Sequence, residues 1–114
     1  MALKSRKTIE KEWYTLEDQV DEDSPARFEL RPLRTSEQMD VYDTFVGGKP
    51  TNKTFQVCFR LGCVSIENVI GANDKPIKTA HHFLMQPDFV DEAIEVGAAV
   101  FDKSFLSEDE RKNL

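Results

Sequence analysis

No apolar run in this chain approaches the roughly 18 residues that a membrane-spanning helix requires. The first residues carry Lys4, Arg6, Lys7 and Lys11 but no apolar segment behind them, so they do not read as a secretory signal. Cysteine is scarce: Cys58 and Cys63 are the only two, in the string CFRLGC, with no second pair. That excludes a disulfide scaffold, and it leaves zinc without the Cys or His partners that ligand spacing demands. Set among Phe55, Val57, Phe59 and Leu61, the thiols read as buried and reduced. Cations are the minority charge, 15 against 21 carboxylates, for a formal net charge of -6. Phosphate backbones attract positive surfaces, so this balance weighs against nucleic-acid binding.

Histidine is equally scarce. His81 and His82 are adjacent, and neighbouring side chains on a regular element point different ways. Neither has a carboxylate four residues on, as a helical metal motif would. They read as part of a polar loop, and no Ser or Cys stands in a recognisable nucleophile setting. Gly47-Gly48-Lys49-Pro50-Thr51 has a glycine pair and a lysine but not the Walker spacing, and Pro50 stands where Ser or Thr belongs. It reads as a turn. Asp88, Asp91, Glu92 and Glu95 read as a solvated helix face. No catalytic, metal-binding or cofactor-binding set emerges, and the chain reads as a non-enzyme.

What is present is core material. The 114 residues include eight Phe, two Tyr and one Trp, at 39% hydrophobic and 32% charged residues, a balance suited to one folded domain. Residues 1–11 read as a flexible basic arm and 12–114 as the domain. EWYTL (12–16) is rich in strand formers, and RFELRPL (27–33) alternates Phe28, Leu30 and Pro32 against Arg27, Glu29 and Arg31. Pro32 cannot donate to a ladder, so that strand ends there or lies at an edge. The two form a predicted hairpin around a long acidic loop that closes on Ser24-Pro25-Ala26.

Thr35 with Gln38 reads as a capping box opening a helix from about Ser36 to Val46, with Met39, Tyr42, Phe45 and Val46 on one face. Residues 54–62 fit either period. Phe55, Val57, Phe59 and Leu61 alternate, while Phe55, Cys58, Phe59 and Gly62 share a helical face. CVSIENVI (63–70) is apolar, and Ala72 to Pro76 is a turn. Pro87 reads as the first residue of a helix with carboxylates in its first turn, reaching to about Asp102 along the stripe Phe89, Val90, Ala93, Ile94, Gly97, Val100, Phe101. Ser107 with Glu110 reads as another capping box. The fold class expected is α+β, mainly helical, with an N-terminal β-hairpin packed on a small set of helices. Phe28, Leu30, Tyr42 and Ile94 are expected inside it.

Three strings carry a resemblance. RFELRPLRTSEQMDVYD resembles the opening of bacteriophage tail assembly chaperones, where a strand of the sense F-x-L-x-P-L runs into a helix opening T-x-x-Q/E. CVSIENVIGANDKPI resembles their middle, where a helix end reading V-G-W-E-N precedes a turn rich in Asp, Gly and Lys-Pro; here Ser65-Ile66 replaces Gly-Trp. FDKSFLSEDERKNL resembles their S-x-L-x-E-E-E-x-K-N ending. The matches run in order over residues 27–114.

The resemblance implies a small, mainly helical, self-associating protein of the host bacterial cytoplasm. It implies binding to the tape-measure protein before tail-tube subunits polymerise, absence from the mature virion, and no membrane, nucleic acid or cofactor. It also implies a helix over 54–64. A second, longer product made by ribosomal frameshifting is implied too. Arg111-Lys112-Asn113 permits the slippery codons, and the extension is expected to recruit the tail-tube protein. A tape measure is a long amphipathic chain that aggregates if left bare, so its chaperone needs an apolar groove and a soluble rim. Phe89, Ile94, Val100 and Phe101 are the candidate partner-binding residues. The alternatives are a structural tail or tail-terminator subunit of a virion, and an acidic DNA-mimic inhibitor.

Overall fold

In a computed structural model of the chain, residue 3 and residues 10–106 are described. Most of the basic arm, the Ser107–Glu110 capping box and Arg111-Lys112-Asn113 lie outside the described residues. The chain forms β1 (Glu12–Thr15), β2 (Arg27–Leu30), α1 (Thr35–Tyr42), α2 (Asn52–Gly62), β3 (Cys63–Glu67), α3 (Ala80–Leu84) and α4 (Val90–Phe105). This is the α+β, mainly helical architecture expected, with the antiparallel hairpin in place: Tyr14 pairs with Phe28 and Trp13 with Glu29.

The hairpin acquires a third strand. Chain order and sheet order coincide, β1-β2-β3, and Phe28 pairs with Ile66. β2 is therefore central, and of the two roles offered by Pro32 it takes termination, with the strand stopping at Leu30. The register slips between Glu29 and Leu30, which face Ser65 and Cys63, so Val64 bulges outward. The 54–62 segment resolves as helix α2, as the resemblance implied. CVSIE, however, leaves the helix at Gly62 and becomes β3. Apolar β-branched residues are legible as a strand only when a partner strand waits for them.

Three further expectations are corrected. The first helix starts one residue early, and its N-cap is Arg34 rather than a Thr35–Gln38 box: the Glu37 carboxylate accepts the Arg34 amide at 2.8 Å and a bidentate pair from Arg31 at 2.9 and 2.7 Å. That guanidinium holds the Glu37 carboxyl below its ordinary range. The helix ends at Tyr42, and its one buried side chain is Val41, while Tyr42 and Met39 face outward. The last helix begins at Val90, three residues beyond Pro87, and runs on to Phe105. The glycine pair makes the expected turn: Gly47 and Gly48 both take positive φ, and Val46 and Lys49 exchange backbone hydrogen bonds across it.

The core lies where α2 and α4 cross the sheet. Phe28 stands edge-on to Phe59 and Phe83, at 6.0 and 5.3 Å between ring centroids, with Ile66, Ile77, Val96 and Val100 around them. α2 and α4 approach closely because Gly97 faces the Phe55 backbone and Gly62 faces Val100. At the other end of α2, Thr51 caps the helix and buried Thr54 accepts from its amide at 2.8 Å, while the Thr44 hydroxyl donates to Thr54 at 2.7 Å.

Cys58 and Cys63 are free and buried, as expected. Burial pushes both thiols up to about 12, because it penalises the thiolate. A thiol-specific disulfide reagent at pH 8 should therefore find no reactive thiol in the folded chain and both in urea. The folded state also holds these protons at a pH where the unfolded chain releases them. Stability should consequently fall as pH rises from the ordinary thiol value toward about 12. Rapid native-state labelling at pH 8 would overturn the buried placement.

Candidate partner-binding cleft

Helix α3 was not anticipated; the histidine pair was expected in a loop. Thr79 caps it by accepting the His82 amide at 3.1 Å, and its inner face seats Phe83 in the core while His81 and His82 stay exposed. The ring of Phe83 stacks on Phe89 with centroids 4.7 Å apart and lies 5.1 Å from Phe59. This stack fixes the start of α4 against α3 and opens a cleft of about 320 Å³ between them and the first turns of α2. Its floor is Phe83, Leu84, Phe89, Val90, Ala93 and Ile94, and its rim is Asn52, Lys53, Gln56 and Gln86. Leu84, Phe89 and Ile94 are half-buried, and Val90 is 66% exposed. The geometry is that of a short apolar trough with polar edges, sized for a few side chains of one helix rather than for a large ligand.

The four candidate residues part company here. Phe89 and Ile94 line the cleft. Val100 is fully buried against Gly62, so it is core and leaves the set of partner contacts. Phe101 belongs to a different cluster, 4.7 Å from Phe105, 5.8 Å from Phe55 and 6.1 Å from Phe45. Ile94 is only half-buried and Tyr42 is exposed, so neither is the core residue expected, whereas Phe28 and Leu30 are. Sequence reasoning missed Leu84 and the rim residues, because they become neighbours of α4 only through the unanticipated α3. Val90 was legible on the stripe, and its exposure marks it as cleft rather than core.

The acidic face of α4 also needs a correction at Glu95. Its carboxylate accepts from the Tyr14 hydroxyl and from the Glu17 amide at 3.0 Å, tying α4 to the hairpin. Burial, then the carboxylate it faces, push the Tyr14 hydroxyl above the ordinary phenol value. A second hollow of about 430 Å³ lies beside β1, lined by Trp13, Tyr14, Asp102 and Lys103 among others. It is a polar seam: the Lys103 ammonium, on a side chain only 5% exposed, pairs with Glu12 at 2.9 Å. Trp13 stacks under the Arg27 guanidinium at 4.7 Å, and Arg27 also pairs with Glu67. Among the described residues no three His, Cys, Asp or Glu side chains converge as metal ligands, and no helix is long and apolar enough to cross a membrane. Comparison with known proteins returns no matching family, no matching curated protein and no matching solved structure.

Proposed function

We propose that this chain is a bacteriophage tail assembly chaperone, which binds the tape-measure protein in the host cytoplasm, keeps it soluble and promotes assembly of the tail tube. The observation that carries this reading is the apolar trough of Phe89, Val90 and Ile94 with its uncharged and cationic rim of Asn52, Gln56 and Lys53. An amphipathic helix seats a few apolar side chains in such a trough and leaves its polar face to water. The net charge of -6 keeps a complex with a long apolar client dispersed. The ordered resemblance of residues 27–114 to tail assembly chaperones supports the same reading. Self-association, absence from the finished virion and a frameshifted longer form that recruits the tail-tube protein belong to it.

Co-expression tests it. The cognate tape-measure protein should become soluble and co-purify with the chain. Val90→Asp should abolish this without unfolding the chain, since Val90 is exposed and a carboxylate suits the first turn of a helix. Pull-down of the tape measure should fall by about tenfold or more, as for a central apolar anchor. A tape measure that stays insoluble at every ratio of wild-type chain sinks the chaperone reading. A Val90→Asp chain that works as well as wild type sinks the cleft.

A further inference from the structure

Helix α1 is amphipathic in the wrong sense for its own fold. Met39 and Tyr42, and Val46 just past the helix end, are 64, 55 and 71% exposed, while the only buried side chain of α1 is Val41. At 3.6 residues per turn Met39 and Tyr42 lie on one side of the helix and Val41 on the other. The apolar stripe that periodicity marks for burial is thus left to solvent. It is not a set of loose side chains. The Tyr42 ring packs edge-on to Phe45 and Phe105, each at 5.2 Å, and Phe105 continues to Phe101 and Phe55. A surface backed by packed rings is already ordered, so a partner loses little side-chain entropy in covering it, and Met39 adapts to what it meets.

Charge identifies what covers it. Asp40 and Asp43 are exposed and follow Met39 and Tyr42 directly, placing two carboxylates along one flank of the stripe; Lys49, beyond the glycine turn, is the cation at its far end. We propose that the Met39–Tyr42–Val46 stripe is a docking surface for an amphipathic helix whose aliphatic face covers these three side chains and whose Lys or Arg side chains pair with Asp40 and Asp43. A second copy of this chain fits poorly, because facing α1 stripes would set Asp40 and Asp43 of each copy against those of the other. The stripe shares no residue with the Phe89–Val90–Ile94 cleft, and the proposal does not rest on the tape-measure reading.

Fluorescence anisotropy on the full chain tests it, with labelled peptides of stated design: a Leu/Lys amphipathic helix, a scrambled peptide of the same composition, and a Leu/Glu amphipathic helix. The chain should bind the Leu/Lys helix about tenfold or more tighter than either control, equivalent to about 1.4 kcal/mol. Met39→Ser with Val46→Ser should erase that preference, and thermal melts should match wild type because both side chains are exposed. Asp40→Asn with Asp43→Asn should weaken binding about threefold and flatten its salt dependence. Val90→Asp should leave the affinity unchanged. Equal binding of the scrambled peptide overturns the proposal. So does a loss caused by Val90→Asp but not by the Met39 and Val46 changes, which would put the peptide in the cleft. A wild-type dimer in sedimentation that Met39→Ser dissolves would make the occupant a second copy, and overturns it too.

Discussion

Gly97→Ala is expected to destabilise the chain by about 3 kcal/mol, the upper end of the usual range for overpacking. A methyl group at that position would stand 2.1 Å from the Phe55 carbonyl oxygen and 2.7 Å from its carbonyl carbon. Those are backbone atoms of α2, which cannot rotate away as a side chain would, so α2 and α4 must separate. Separation loosens Val96, Val100 and Phe59, all fully buried between or beside these helices. For a domain whose total stability is about 5–15 kcal/mol, that is a large fraction. Urea denaturation followed by far-UV dichroism measures it. Gly62→Ala should be milder, because its methyl would meet the Val100 side chain, at 2.4 and 3.0 Å, which has rotamers to change. A Gly97→Ala loss under about 1 kcal/mol would mean that the helices do not approach as described.

Phe83→Ala should cost about 3–5 kcal/mol, the range for emptying a buried aromatic site. Phe83 is fully buried and touches four structural units at once: Phe28 of β2 at 5.3 Å, Phe59 of α2 at 5.1 Å and Phe89 at the start of α4 at 4.7 Å, from its own place on α3. Its loss removes the floor beneath the cleft as well as the anchor of α3. Denaturation and tape-measure pull-down should therefore fail together in Phe83→Ala, whereas Val90→Asp should separate them. Phe83→Leu, which keeps most of the volume, should recover more than half of the stability. A Phe83→Ala chain with a wild-type midpoint would show that α3 is not docked through this ring.

How much of this was legible in sequence follows from the range of the interactions. The hairpin was, because the alternation of Phe28 and Leu30 against Arg27 and Glu29 is local and strict. The Gly47-Gly48 turn was, because positive φ at two successive residues asks for glycine. The α4 stripe was, although its start was misplaced by three residues: Pro87 can open a helix but need not. Of the cleft, Phe89 and Ile94 were chosen correctly as lining residues, while Val100 was indistinguishable from them in a one-dimensional pattern. Only its approach to Gly62 assigns it to the core.

The sequence by itself determined the local order: the two hairpin strands, the glycine turn, the long final helix, and the apolar setting of Cys58 and Cys63. Neighbouring residues alone dictate these through backbone preference and periodicity. Tertiary structure decided what depends on a distant partner. The break from α2 into β3 at Gly62 exists because β2 offers an edge to CVSIE. Glu95 is a tie rather than a solvated charge because Tyr14 and the Glu17 amide reach it from the hairpin. Lys103 is buried because Glu12 meets it there. α1 turns Val41 inward and leaves Met39 and Tyr42 outside, against its own pattern, because periodicity specifies that a face is apolar while only packing selects which face finds a neighbour.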